Sequence, residues 1–190
     1  MMGHLPMLRY AVEKLGANPA HVNTYGMCPL QMACRFGNER CLRFLATRLD
    51  NSQINYQSGG LGISPLSDAA KCAPIRHSCA PIPASSRAAS ARSLCPSCPL
   101  DAEPTCTYRR CGHPKCVSAM LELGANVDPR RKNGKTPLHE AAEHGFVECV
   151  RILCAAGADR AAVDNAGKTA ADYAAESMPV HEAVLAVLLQ

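Results

Sequence analysis

Four stretches of the chain carry one short pattern, and that pattern governs what the rest can fold into. GMCPLQMACRFG (26–37), GISPLSDAAKC (62–72), GKTPLHEAAEHG (134–145) and GKTAADYAAES (167–177) each begin with glycine. In the first three, proline follows three residues later. A second pattern leads into the first: LGANPAHVNTYG (15–26), LGANVDPRRKNG (123–134) and AGADRAAVDNAG (156–167). Each runs from Gly-Ala-Asn/Asp to another glycine ten residues after the first. Gly134 to Gly167 is 33 residues, and a fixed period of that size is the mark of stacked structural repeats.

The local chemistry of each unit reads as two short helices. Thr136 is placed to cap a helix whose first residue, Pro137, lacks the N–H that would be orphaned there. Ser64-Pro65 repeats the device; Cys28-Pro29 keeps the proline with a poorer cap. Leu138, Ala141 and Ala142 fall at i, i+3 and i+4, one apolar face. Gly145 is placed to end that helix in a left-handed conformation. FVECVRILCAAGAD (146–159), paralleled by HPKCVSAMLELGAN (113–126), then offers a second helix with Val150, Leu153 and Cys154 on one side. Neither helix can bury its face alone, so neighbouring units must stack.

TPLH at Thr136–His139, the alanine pair, Gly145, the V-x-x-L helix and the GAD/GAN turns together resemble the ankyrin repeat. The resemblance implies an all-α solenoid of stacked helix-turn-helix repeats with short β-turn fingers. In that register residues 3–18 form a half repeat, and full repeats run 19–54, 55–126, 127–159 and 160–190. The turn closing the first is three residues longer than standard, Gly26 to Gly62 being 36. The last departs further, with TAAD for TPLH and Met178-Pro179 where glycine is usual. Leu8, Ala11, Val12 and Leu15 at one end and VLAVLL at the other are apolar and without neighbours. They leave two readings: self-association or a partner at an end, or a fragment of a longer protein.

Gly62 to Gly134 spans 72 residues instead of 33, and the excess, 73–111, falls between the two helices of the second repeat. Pro, Ser and Ala supply 19 of its 39 residues, too few large apolar groups to offset ordering the backbone, so disorder is the expectation. It also holds Cys95 and Cys98, two residues between them, and Cys106 and Cys111, four between them. Pairs at such spacing are what tetrahedral zinc requires. A cysteine-bearing loop without metal is the competing reading. Cys41, Cys116 and Cys149 recur at one position of the second helices and Cys34 matches Ala142, so this chain also uses cysteine as a small core hydrophobe.

The remaining composition mainly excludes. A net charge of +4 over 190 residues, with no long Lys/Arg run, argues for no nucleic-acid partner. The opening MMGHLPMLRYAVEKLG is charged where a signal core would be apolar, and no run approaches the roughly 18 apolar residues of a membrane span. The expectation is a reducing setting, cytoplasmic or nuclear, where the twelve cysteines are thiols or metal ligands. His139 reads as a structural histidine, and Glu140, Glu143 and His144 as a solvated helix face. No recognisable nucleophile–base set or phosphate loop is present, so no catalytic residue is assigned.

The resemblance implies a non-catalytic scaffold that binds another protein through its concave face and turn tips. Carried onto this chain, the helix positions are Met32, Arg35, Phe36, Asp68, Lys71, Glu140, Glu143, His144 and Tyr173; the tips include Tyr25, Tyr56, Arg130, Arg131 and Lys132. Phe36 and the Arg130-Arg131-Lys132 turn are the expected anchors, facing an acidic or mixed partner. The alternative is a zinc-binding module, Cys95, Cys98, Cys106 and Cys111, displayed on the scaffold and acting as an adaptor in protein modification. No other cofactor is expected.

Overall fold

The computed structural model describes residues 4–71, 112–176 and 182–189. Among them the chain forms ten helices: α1 (Leu5–Glu13), α2 (Pro29–Arg35), α3 (Glu39–Ala46), α4 (Asn51–Ile54), α5 (Pro65–Ala70), α6 (Pro114–Glu122), α7 (Pro137–Glu143), α8 (Val147–Ala155), α9 (Ala170–Glu176) and α10 (Glu182–Leu188). The helices are short because each is stopped on schedule. Gly37 (φ 67°) and Gly145 (φ 75°) adopt the left-handed conformation at equivalent helix ends. Asn38 N–H then donates to Ala33 C=O and Phe146 N–H to Ala141 C=O, both at 2.9 Å, capping carbonyls that the helix leaves open.

Apart from α4, the helices stand in two columns. First helices stack in the order α2, α5, α7, α9, and second helices in the order α1, α3, α6, α8, α10. Within a repeat, α2 pairs with α3, α5 with α6, α7 with α8 and α9 with α10. Between the columns runs one continuous core that includes Leu30, Leu42, Leu66, Val117, Met120, Leu138, Val150 and Leu153, each 0–1% exposed. Small residues fill the close approaches: Ala69, Ala119, Ala141 and Ala142 are fully buried. Cys34, Cys41 and Cys116 belong to this core as free thiols, and Cys149 is buried in it.

The α5–α6 pairing joins residues separated by the long excess stretch, and His113 N–H donates to Ala69 C=O at 3.2 Å. The zinc-ligand candidates Cys95, Cys98, Cys106 and Cys111 lie outside the described residues.

Four fingers project from the first-helix column. Three close in the same way: Asn23 N–H to Met27 C=O, Arg131 to Lys135 and Asp164 to Lys168, each at 3.0 Å. Inside each, the glycine two residues beyond the tip's first residue turns the chain back, as when Gly134 N–H donates to Arg131 C=O at 2.9 Å. The second finger, Ser58 to Ile63, has one residue more at its tip, Gly59-Gly60-Leu61. It absorbs one of the three extra residues of this turn. α4 lies in the segment ahead of it, capped reciprocally: Asp50 Oδ1 accepts from Gln53 N–H at 2.8 Å, and Gln53 Oε1 from Asp50 N–H at 3.2 Å.

Candidate functional site

Neighbouring repeats are tied by side chains that start at the helix caps. His139 Nδ1 accepts from the Thr136 N–H at 3.2 Å, and Nε2 lies 3.1 Å from Lys168 C=O in the next repeat. A backbone N–H can only donate, so Nδ1 is bare and the proton sits on Nε2, which donates to Lys168. Burial holds the imidazole below its ordinary pKa, the bond to the Lys168 carbonyl working against that shift. In the first repeat Gln31 does the same work. Its Oε1 accepts from Cys28 N–H at 3.3 Å and its Nε2 donates to Ile63 C=O at 2.5 Å. The poor Cys28 cap is therefore made good by Gln31. Ser67 and Asp172, at the same position of their repeats, bond instead to Ser64 and Thr169 of their own repeat.

A second regularity runs along the first helices. After three of the four finger glycines, Gly26, Gly134 and Gly167, the next residue meets the residue eight further on. Lys135 Nζ reaches Glu143 Oε2 at 2.7 Å, Lys168 pairs with Glu176, and Arg35 Nη1 lies 3.7 Å from Met27 Sδ. Burial works against the Glu143 carboxylate, but Lys135 outweighs it and the group sits below its ordinary range. Lys135 Nζ also stands 3.9 Å above the Tyr173 ring, whose hydroxyl donates to Asp164 Oδ2 at 2.7 Å.

Glu140 and Asp68 correct the expectation of a solvated face. Glu140 is 1% exposed and is held by Arg131 and by Lys71 Nζ at 3.2 Å. Asp68, one repeat earlier at the same position, is 6% exposed; burial pushes its carboxyl up to about 6, against the fields of Arg35, Arg131 and Lys71. The cause lies in the stacking, which brings cations from the α5 end and the third finger over both acids. Arg131 is thereby removed from the expected basic anchor: its side chain is only 8% exposed.

The other candidates divide into two sets. Met32, Arg35, Phe36, Lys71, Glu143, His144 and Tyr173 are half-buried along the first helices, and Tyr56 is half-buried beside the second finger. Tyr25, Arg130 and Lys132 are exposed at the tips, Tyr25 at 81%. Leu61 at 58% and Val163 at 44%, also on the fingers, were not singled out by the repeat pattern. The signal for Leu61 was its place between glycines, which cannot shield it.

Glu140, Glu143 and His144 bring potential ligand atoms within 4.8 Å of one another. Both carboxylates already hold cationic side chains, so the arrangement is an ion-pair network. Burial raises the pKa values of Cys28, Cys34 and Cys41, and that of Cys116 to about 12. These thiols are protonated and poor nucleophiles.

Sequence profiles described as "Ankyrin repeats (3 copies)" and "Ankyrin repeats (many copies)" match residues 106–190 and 1–46. The chain belongs to the ankyrin repeat family. Among curated relatives, "Ankyrin repeat and SOCS box protein 11" of Homo sapiens is 41% identical over 83 residues, which cover 42% of this chain and 24% of that protein. "Protein phosphatase 1 regulatory subunit 27" of Mus musculus is 36% identical over 61 residues, 32% of this chain and 40% of that protein. "E3 ubiquitin-protein ligase KEG" of Arabidopsis thaliana is 43% identical over 60 residues, 30% of this chain and only 4% of that protein. This ankyrin chain thus matches less than half the length of each of these relatives. Ankyrin repeats mark it as a protein that interacts with other proteins. No helix among the described residues is long and apolar enough to cross a membrane.

Proposed function

We propose that this chain is a non-catalytic scaffold or adaptor that binds a partner protein across the concave side of its first helices and the tips of its fingers. We assign the repeats as 19–54, 55–126, 127–159 and 160–190 after a half repeat at 3–18. The reading rests on one observation. First helices and fingers form a single row, fixed from repeat to repeat by Gln31 to Ile63, His139 to Lys168 and the finger-to-finger backbone hydrogen bonds. A surface held that rigidly loses little conformational freedom when a partner docks. The relatives named as a phosphatase regulatory subunit and a SOCS box protein support a role exerted through other proteins.

The test is affinity capture with quantitative mass spectrometry. Phe36→Ala and Arg130→Ala, singly and together, should deplete a partner that the parent chain retains, with an unchanged circular dichroism spectrum. Arg131 is left alone because its loss would strand Glu140. A partner retained equally by every folded variant overturns the assignment.

A further inference from the structure

Every second helix but one is wedged among several others. α3 packs on α2 and α6, α6 on α5, α3 and α8, and α8 on α7, α6 and α10. α1 leans chiefly on α3, and among the described residues no first helix pairs with it. The consequence shows in its burial. None of its nine residues is buried, whereas α3 buries Cys41, Leu42, Phe44, Leu45 and Ala46. Leu5, Leu8 and Val12 reach only the edge of the core, and Met7 and Tyr10 are exposed.

A polar clasp joins α1 to α3. Glu13 Oε1 accepts from Arg48 Nη2 at 2.7 Å, and Arg9 Nε lies 3.7 Å from the same oxygen. The Arg48 guanidinium stands 3.8 Å from the centre of the Phe44 ring, and that of Arg9 5.6 Å. Glu13 thus gathers an arginine from each side over Phe44, which is buried. The Glu13 and Arg48 side chains are 40% and 33% exposed, so water and salt reach the pair. A pair of that kind contributes an equilibrium factor of about two to five. A helix this short does not persist in water once it leaves its neighbour.

The repeat register tells what lies beneath. Cys41 and Cys116 hold one position of successive second helices. Glu39 and Arg43 of α3 lie near enough to Cys116 to act on its thiol. By the same register α1 stands over Cys41, which is 6% exposed.

We propose that α1 is a detachable latch at the first step of the second-helix column. It opens as a unit while α3 and the repeats beyond stay folded, and opening uncovers Phe44 and Cys41 beside the Arg48 guanidinium. Closure depends on the Glu13–Arg48 clasp, so it weakens as ionic strength rises. A stacked array permits this, because each unit is held only by its neighbours and an end can open alone.

The experiment treats the native full chain with N-ethylmaleimide, reads each cysteine by mass spectrometry, and follows amide hydrogen exchange in parallel. Cys41 should be labelled well before Cys116, and residues 5–13 should lose protection before residues 39–46. Raising sodium chloride from about 0.1 to 1 M shortens the screening length from about 10 to 3 Å, and should speed Cys41 labelling. Glu13→Gln should speed it about two- to fivefold at low salt and abolish the salt response. Glu13 is exposed, so the variant keeps the parent stack, and an unchanged Cys116 rate checks that it does. Cys41 and Cys116 labelled at one common rate, or α1 and α3 exchanging together, would overturn the latch. So would a salt response that survives in Glu13→Gln.

Discussion

Asp68 is the most informative single substitution. Its carboxyl is 6% exposed and rises from an ordinary 3.8 to about 6 because burial disfavours its charged form more than the surrounding cations favour it. At 1.36 kcal/mol per pH unit, the ionised group costs the fold on the order of 3 kcal/mol. The sign follows from proton uptake. Between 3.8 and about 6 the folded chain binds more protons here than the unfolded chain, so this contribution to stability falls as pH rises through that window. Below it the group is neutral in both states and costs nothing. Asp68→Asn removes the charge while keeping the shape. It should raise stability by roughly 2–3 kcal/mol near pH 8 and by little near pH 4. Urea unfolding followed by circular dichroism across that range measures the difference. His139 contributes the opposite slope, because burial depresses its pKa and its stabilisation fades as pH falls below its ordinary 6.5. That slope is common to parent and variant and cancels in the comparison. Parallel pH profiles for the two would refute the account of Asp68, as would a variant less stable at neutral pH.

Gln31→Ala should cost about 1–3 kcal/mol, since it leaves Cys28 N–H buried without a partner and removes the tie to Ile63 C=O, which keeps Ser58 as a donor, whereas Gln31→His should restore most of that loss; thermal melts decide. Gly37→Ala should cost about 2 kcal/mol or more, because its φ is 67° and a Cβ would lie 2.5 Å from the His113 ring, a penalty visible in the urea midpoint. Replacing residues 73–111 by a short glycine linker should leave the helical spectrum and cooperative unfolding intact, because α5 and α6 pack as a hairpin without it. Cys34, Cys116 and Cys149 should resist a thiol reagent in the native chain and react only on unfolding, read by mass spectrometry.

Much of this architecture is legible in the sequence because repeats state their grammar several times. Glycine at left-handed helix ends, proline at first helical positions and the alanine pairs of the core are each dictated by local backbone chemistry. The seam at 73–111 is legible for the same reason, as a broken period between helices that still pair. What escaped depends on neighbours. Glu140 and Asp68 sit at positions that a single repeat exposes, and only the stack brings Arg131 and Lys71 over them. Gln31 stands where the third repeat has His139, and its amide supplies an acceptor and a donor at similar reach. α4 was announced by Asp50-x-x-Gln53, a capping box overlooked inside a turn counted only for its length. Leu61 fell outside the repeat alignment because its finger carries the extra residue.

The central claim is that a partner protein meets this chain on the fingers and concave side. A photo-reactive phenylalanine at Tyr25, compared with one at Arg151 on the exposed side of α8, tests it directly. The account predicts a covalent adduct with the captured partner from position 25 and none from position 151. An adduct only from position 151, or equal yields from both, would contradict it.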